Sequence, residues 1–306
     1  MKILTTGVGL VLALAVLVAA SGTQYRFSSS GNYPGAVYTI PIALNSRQIV
    51  GYYVTVASGG SYVETLTGVK GARHFLTITP PGSGTSYASG INAQGVIVGW
   101  YCIGGCNPYP AAEHGYTWDQ GKFTTIDYPG AMSTGVYGIN DFGQIVGGFC
   151  PYSILCADDD GNPSQHAFIE DHGVFTQLDF PGAFVTQANA INDAGQIVGT
   201  YETLQGLYSF LYQNGEYTRI AVPHAVRTFA TAINNRGVVA GSYEGGYITS
   251  HSFLYQNGEF TTVDFPGRRA TAISGINDAG IIIGNWAPSV GFDLTFKGVP
   301  ISQPTP

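Results

Sequence analysis

Charge is what this chain has least of. Of its 306 residues only 12 are Lys or Arg and 19 are Asp or Glu, a formal net charge of −7. The cations form no cluster, so the Lys/Arg stripe that engages a phosphate backbone is missing and nucleic acid is excluded as a partner. After residue 20 no stretch approaches the roughly 18 consecutive apolar residues that a membrane span requires. Catalytic signatures are missing too: there is no GxSxG, no HExxH, no Walker loop and no Ser-x-Asp-x-Gly-x-Thr-Trp box. Strong helix formers are few beyond the N-terminal segment, while Gly (43), Tyr (20) and Phe (16) are abundant, a composition that predicts an all-β chain with many tight turns.

The N-terminal segment has its own pattern. Lys2 precedes a largely apolar stretch from Val8 to Ala20, and the small residues Ala19, Ala20, Ser21 and Gly22 follow. This predicts a secretory signal peptide over 1–22, with no Cys after it to carry a lipid, and hence an exported mature chain. In an oxidising compartment Cys102, Cys106, Cys150 and Cys156 are expected as disulfides, with the local pairs 102–106 and 150–156 the simplest of three connectivities. Zinc is the rival use of the four thiols, but neither spacing resembles a paired CxxC ligand set.

One segment recurs six times. "GINDFGQIVG" (138–147) returns as "AINDAGQIVG" (190–199) and "GINDAGIIIG" (275–284), with looser copies at 43–51, 90–99 and 232–241. Each copy is preceded by an extended aromatic-Pro-Gly segment such as "FTTIDYPGA" (123–131), and the distance from that Gly (His224 in one copy) to the Asn is ten residues every time. The Asn residues are spaced by 47, 48, 52, 42 and 43 positions, a period that points to a propeller of four-stranded blades. In the fifth copy strands A to D read "ATAINN" (230–235), "GVVAGSY" (237–243), "HSFLYQ" (251–256) and "EFTTVDF" (259–265). Asn-Asp-x-Gly suits the A–B turn, Asn-Gly the C–D hairpin, and Pro-Gly ends strand D. The last copy lacks a strand D, and "QYRFSSSGNYPG" (24–35) is a strand D without the other three. Joining them predicts one six-bladed β-propeller over 23–298, closed by an N-terminal strand that completes the last blade, with 299–306 as a tail.

All sizeable insertions fall between strands B and C, and with the D-to-A connections these make one face of the predicted ring. Long loops on a rigid scaffold are where binding residues concentrate. The aromatic candidates near that face are Trp100, Tyr101, Tyr109, Tyr152, Tyr208, Tyr247 and Trp286, and the carboxylates are Glu113, Asp160, Glu202 and Glu244. Asp158, Asp159 and Asp160 in "ADDDGN" offer a weak calcium site, lacking EF-hand spacing, with a solvated acidic turn as the alternative; no other cofactor is expected. His114, His166 and His251 start strand C in three copies, and Asp127, Asp179 and Asp264 precede aromatic-Pro-Gly in three. Residues repeated around a ring are expected to make structural hydrogen bonds, as are Asp141, Asp193 and Asp278 after the turn Asn. Strand A is mostly Ala, Gly, Thr, Ser and Ile, so the channel is expected to be poor in acids.

The unit "HAFIEDHGVFTQLDFPGAFVTQANAINDAGQIVGTY" (166–201) resembles the HAF repeats of bacterial exported proteins, and the likeness in His-x-Phe, Pro-Gly-Ala and Ile-Asn-Asp-x-Gly-Gln-Ile-Val-Gly covers nearly the whole mature chain. The resemblance implies export and a repeat fold and carries no catalytic residue, since the family has no established activity. Some relatives end in a cell-surface sorting tail; this chain ends in "ISQPTP", which favours release. The leading expectation is a secreted, monomeric, non-enzymatic propeller binding an extracellular glycan or protein through the insertion face. A polysaccharide-acting hydrolase or lyase, and a structural envelope or matrix protein, are the alternatives.

Overall fold

Alternating apolar and small polar residues between glycine turns make strands throughout. The computed structural model describes residues 23–29, 33–55, 59–65, 74–103, 112–152, 156–157, 163–246, 249–287 and 294–301. Among them are 24 strands. After β1 (Gln24–Ser29) come β2 (Tyr38–Leu44), β3 (Gln48–Val54), β4 (Gly59–Thr65) and β5 (His74–Ile78), forming unit 1, and β6 (Ser83–Ile91), β7 (Ile97–Ile103), β8 (Glu113–Asp119) and β9 (Lys122–Ile126), forming unit 2. Unit 3 is β10 (Ser133–Ile139), β11 (Ile145–Cys150), β12 (His166–Asp171) and β13 (Val174–Leu178), and unit 4 is β14 (Val185–Ile191), β15 (Ile197–Thr203), β16 (Gly206–Gln213) and β17 (Glu216–Ile220). Unit 5 is β18 (Arg227–Ile233), β19 (Val239–Glu244), β20 (Ser250–Gln256) and β21 (Glu259–Thr262); β22 (Ala270–Ile276), β23 (Ile282–Ala287) and β24 (Leu294–Ile301) follow. Units 1 to 4 are separate four-stranded antiparallel meanders, and unit 5 is joined to β22 by a single parallel pairing of Ser250 with Ala270.

β1 lies antiparallel on β24, from Gln24 opposite Ile301 to Ser29 opposite Phe296, and so supplies a fourth strand to β22–β24. It buries Tyr25 and Phe27 in a cluster with Ile282, Trp286 and Phe296. The pairing continues to Ile301, past the boundary at 298 drawn from the sequence; residues 1–22 and 302–306 lie outside the described region.

The turns follow from their residues. In five copies the N–H of the turn glycine donates to the Asn carbonyl, at 2.8–3.2 Å, and the glycine has positive φ. The second hairpins put Asn214–Gly215 and Asn257–Gly258 both at positive φ, the geometry that matches strand twist. The aromatic residue before Pro-Gly lies flat on a ring from the second strand of the following unit: Tyr128 on Phe149 and Phe180 on Tyr201, both at 3.6 Å. These stacks help fill the layers between neighbouring units, where most of the apolar core sits; one cluster combines Val146 and Leu178 of unit 3 with Ile191 and Phe210 of unit 4. The glycine of "IVG" is required there, because a Cβ on Gly147 would stand 2.0 Å from the Gly135 carbonyl oxygen and against the Phe168 ring.

Candidate functional site

The first strands of the units, β2, β6, β10, β14, β18 and β22, all end at a repeat Asn, and that Asn does more than start a turn. Its Oδ1 accepts the backbone N–H at the start of the next strand in all six units, at 2.8–3.0 Å. Its Nδ2 donates to the carbonyl of the Asn in the next unit: Asn45 to Asn92, Asn92 to Asn140, Asn140 to Asn192, Asn192 to Asn234 and Asn234 to Asn277, at 2.9–3.2 Å. Asn277 then donates to the Asn45 carbonyl at 3.2 Å, so the bonds return to their start. All six side chains are buried. Asp141, Asp193 and Asp278 act one residue further on, as turn acceptors: Ala93 N–H donates to Asp141, Asp141 N–H to Asp193 and Asn235 N–H to Asp278, at 2.7–2.8 Å.

One residue before the Asn stands Leu44, Ile91, Ile139, Ile191, Ile233 or Ile276, and these side chains border two hollows. On the turn side is a small one of about 190 Å³ among the Asn and Asp residues. On the other side is a cavity of about 530 Å³. Three residues before each Asn the first strand carries a β-bulge, and the residue at each register shift, Ile42, Ser89, Tyr137, Asn189, Thr231 or Ser274, lines this larger cavity. A bulge inserts an unpaired residue and re-aims its side chain. Three of them also tie neighbouring units together: Asn189 Nδ2 donates to Ala230 O (2.8 Å), Thr231 Oγ1 to Ile273 O (2.9 Å) and Ser274 Oγ to Pro41 O (2.6 Å).

Tyr137 occupies space that two glycines leave open, its hydroxyl over Gly135 and its ring beside Gly148. Burial, and secondarily the Glu113 carboxylate, push its hydroxyl pKa well up, against the effect of a hydrogen bond with Gln165. Burial likewise raises the Glu113 carboxyl above its ordinary value, and its backbone N–H donates to Ser133 Oγ at 2.9 Å. Glu113, Tyr137 and Gln165 thus meet beside the cavity wall.

The structure sorts the candidates from the sequence. Trp100 is partly exposed and stacks on Tyr87 at 4.1 Å. Tyr208 lies under the Arg219 guanidinium at 3.7 Å and donates to Gln205 O. Tyr152 is 64 % exposed. Tyr101 and Trp286 are corrections to the expected binding surface, being 8 % and 7 % exposed: Tyr101 packs by Tyr116, and Trp286 is stacked on Phe265. Both lie on strands with apolar neighbours on each face, so strand alternation does not reveal which side is open. Glu202 and Glu244 occupy equivalent places near the ends of β15 and β19, Glu244 at 3.9 Å from Arg227. Cys150 is bonded to Cys156, and Cys102 is also in a disulfide. Tyr109, Tyr247, Cys106 and Asp158, Asp159 and Asp160 lie outside the described residues. Among those described, no group of three or more His, Cys, Asp or Glu side chains is placed to hold a metal, and no helix is long and apolar enough to cross a membrane.

The repeated histidines have the structural partners expected of them, and the partners are the repeated aspartates. Nδ1 of His114, His166 and His251 meets Asp127, Asp179 and Asp264 at 3.0, 2.8 and 2.6 Å, tying the start of the third strand to the end of the fourth. Sequence reasoning missed the cavity wall, whose signal was a difference: three residues before the Asn stand Ile, Ser, Tyr, Asn, Thr and Ser in an otherwise uniform repeat.

No protein-family model matches the chain, and no curated protein is similar to it. Solved structures are similar in fold at low identity. A gluconolactonase from Xanthomonas campestris has a TM-score of 0.52 at 13 % identity, over 90 % of each chain. TolB from Acinetobacter baumannii has 0.52 at 14 %, over 78 % of this chain and 58 % of that one. The β-propeller domain of the Trilobed protease from Pyrococcus furiosus has 0.50 at 15 %, over 80 % and 75 %. The chain therefore has a β-propeller fold built of four-stranded sheets.

Proposed function

We propose that this chain is an exported, closed six-bladed propeller of the HAF-repeat type that binds an extracellular glycan or protein through the face bearing the B–C and D–A connections. The observation that carries this reading is where apolar side chains are left in water. Among the exposed large apolar residues described, Val37, Ile103, Met132, Tyr152, Leu204, Val226 and Leu294 stand in or beside those connections, whereas Phe142 and Val174 lie at the A–B and C–D turns and Leu76 and Val299 within strands. Exposed apolar side chains gathered on one polar-rimmed face mark interaction surfaces. Glycan-array and pull-down screening of the mature chain should find a ligand whose binding weakens at least tenfold in Tyr152→Ala and Leu204→Ala. Binding untouched by both, and by loss of Tyr109 and Tyr247, would remove this face from consideration.

One observation favours a second reading, a polysaccharide-acting hydrolase or lyase. A carboxyl lifted by burial, as Glu113 is, suits a general acid. Turnover on a polysaccharide panel, abolished in Glu113→Gln, would support it; a panel with no turnover would set it aside.

A further inference from the structure

The larger cavity is a cup and not a pore. Its floor is the ring of Leu44, Ile91, Ile139, Ile191, Ile233 and Ile276, which separates it from the small acidic hollow beneath. Its wall is built of the bulge residues together with Gln187, Thr200, Leu207 and Phe229, so its open end lies toward the B–C and D–A connections. At about 530 Å³ it has the size of a small-molecule site.

Three observations select an occupant. The floor residues are aliphatic in every unit, offering an apolar body a dry seat. No charged side chain lines the cup among the described residues, whereas the hollow below the floor is bordered by Asp141, Asp193 and Asp278. An anion held in the cup would leave water without a counter-charge, with Glu113 the charged group beside Tyr137, at a cost of several kcal/mol. Hydrogen-bonding groups are present but neutral, and they stand on the wall positions that differ between units while the floor and the Asn level repeat. Asn189, Thr231 and Ser274 among them also each give a donor to the backbone of the next unit.

We propose that the cup binds one uncharged small molecule with an apolar body and a hydrogen-bonding edge, the body on the aliphatic floor and the edge toward Tyr137, Gln187 and Asn189. This site is separate from the rim proposed above and does not depend on it.

Two dyes that share a skeleton test the proposal on the folded chain: N-phenyl-1-naphthylamine, which is neutral, and 8-anilino-1-naphthalenesulfonate, which adds one sulfonate. The neutral dye should bind saturably at one site per chain, with the sulfonate at least about tenfold weaker, the equivalent of 1.4 kcal/mol. Ser89→Trp and Thr200→Trp fill the cup from two different units and should each abolish neutral-dye binding, with thermal melts showing which variant is folded. Ser89→Lys should reverse the preference by supplying the missing counter-charge. Tyr152→Ala, on the rim, should leave dye binding unchanged. The proposal is overturned if no saturable site is found, if a folded filled variant still binds, or if the two dyes bind alike. Rim binding of a glycan or protein should survive Ser89→Trp, so the two readings fail independently.

Discussion

At the turn end of the first strands the chain repeats one Asn in all six units; three residues earlier, toward the opposite face, the same strands carry Ile, Ser, Tyr, Asn, Thr and Ser. Asn45, Asn92, Asn140, Asn192, Asn234 and Asn277 make one set of bonds six times over, whereas Ile42, Ser89, Tyr137, Asn189, Thr231 and Ser274 share a backbone bulge and little else. The uniform end spends its side chains on its neighbours, and every donor there has a protein partner. The variable end leaves a cavity, exposed apolar residues and a carboxyl under strain from burial. Uniformity at the turn end marks assembly, while the differing positions combine bonds to the next unit with the lining of a cavity.

The largest expected effect tests how far assembly depends on the pairing of β1 with β24. Deleting residues 23–29 removes buried Tyr25 and Phe27 and uncovers β24; at about 3–5 kcal/mol for each buried aromatic, the chain should not reach a folded state by circular dichroism or thermal melting. A truncated chain that melts cooperatively near the parent's temperature would show the strand to be dispensable. Next comes Asn140→Asp. The aspartate keeps the acceptor that the turn uses but loses the donor to Asn192 O and Gln144 Oε1, leaving the buried Asn192 carbonyl with the Gly195 N–H alone and facing a charge. A loss of about 2–3 kcal/mol in chemical denaturation is expected; a loss under about 0.5 kcal/mol would mean that Asn serves the turn alone.

On the variable side the effects shrink. His224 holds φ 64° where the other copies have glycine, so His224→Gly should stabilise by up to about 1 kcal/mol, read as a raised melting temperature. For Glu113, burial raises the folded-state pKa above 4.5, so the folded chain keeps that proton to higher pH than the unfolded chain does. The contribution is fully present below pH 4.5 and is lost as pH rises through the raised value. Glu113→Gln should therefore match the parent in acid and melt higher at neutral pH. Smallest of all, Tyr152→Ala should change stability by less than about 0.5 kcal/mol and show its effect only in ligand binding.

Much of the fold was legible because its punctuation is local. Asn-x-x-Gly, Asn-Gly and Pro-Gly set backbone angles by themselves, and their phase alone assigned β1 to the sheet that ends the chain. The site was less legible for a reason seated in Tyr137. A bulge breaks the two-residue alternation, so counting along β10 does not reveal that Tyr137 looks into the cavity. Tyr101 and Trp286 misled in the opposite way: aromatic residues beside insertions read as a surface, but Trp286 is taken up by its stack on Phe265 of the preceding unit and Tyr101 is buried beside Tyr116 of its own. The Asn-to-Asn bonds were equally hidden. A type I turn accepts Asp or Ser in that place, and only the unvarying choice of a side chain whose donor and acceptor sit on separate atoms pointed to a second duty.

That choice bears on how such a chain can change length. Every unit brings one amide donor and one carbonyl acceptor to the circle, so supply and demand match whatever the number of units. Duplicating or losing a whole repeat in the gene would leave no orphaned group at the hub, and the hub would need no new residue to accept the change.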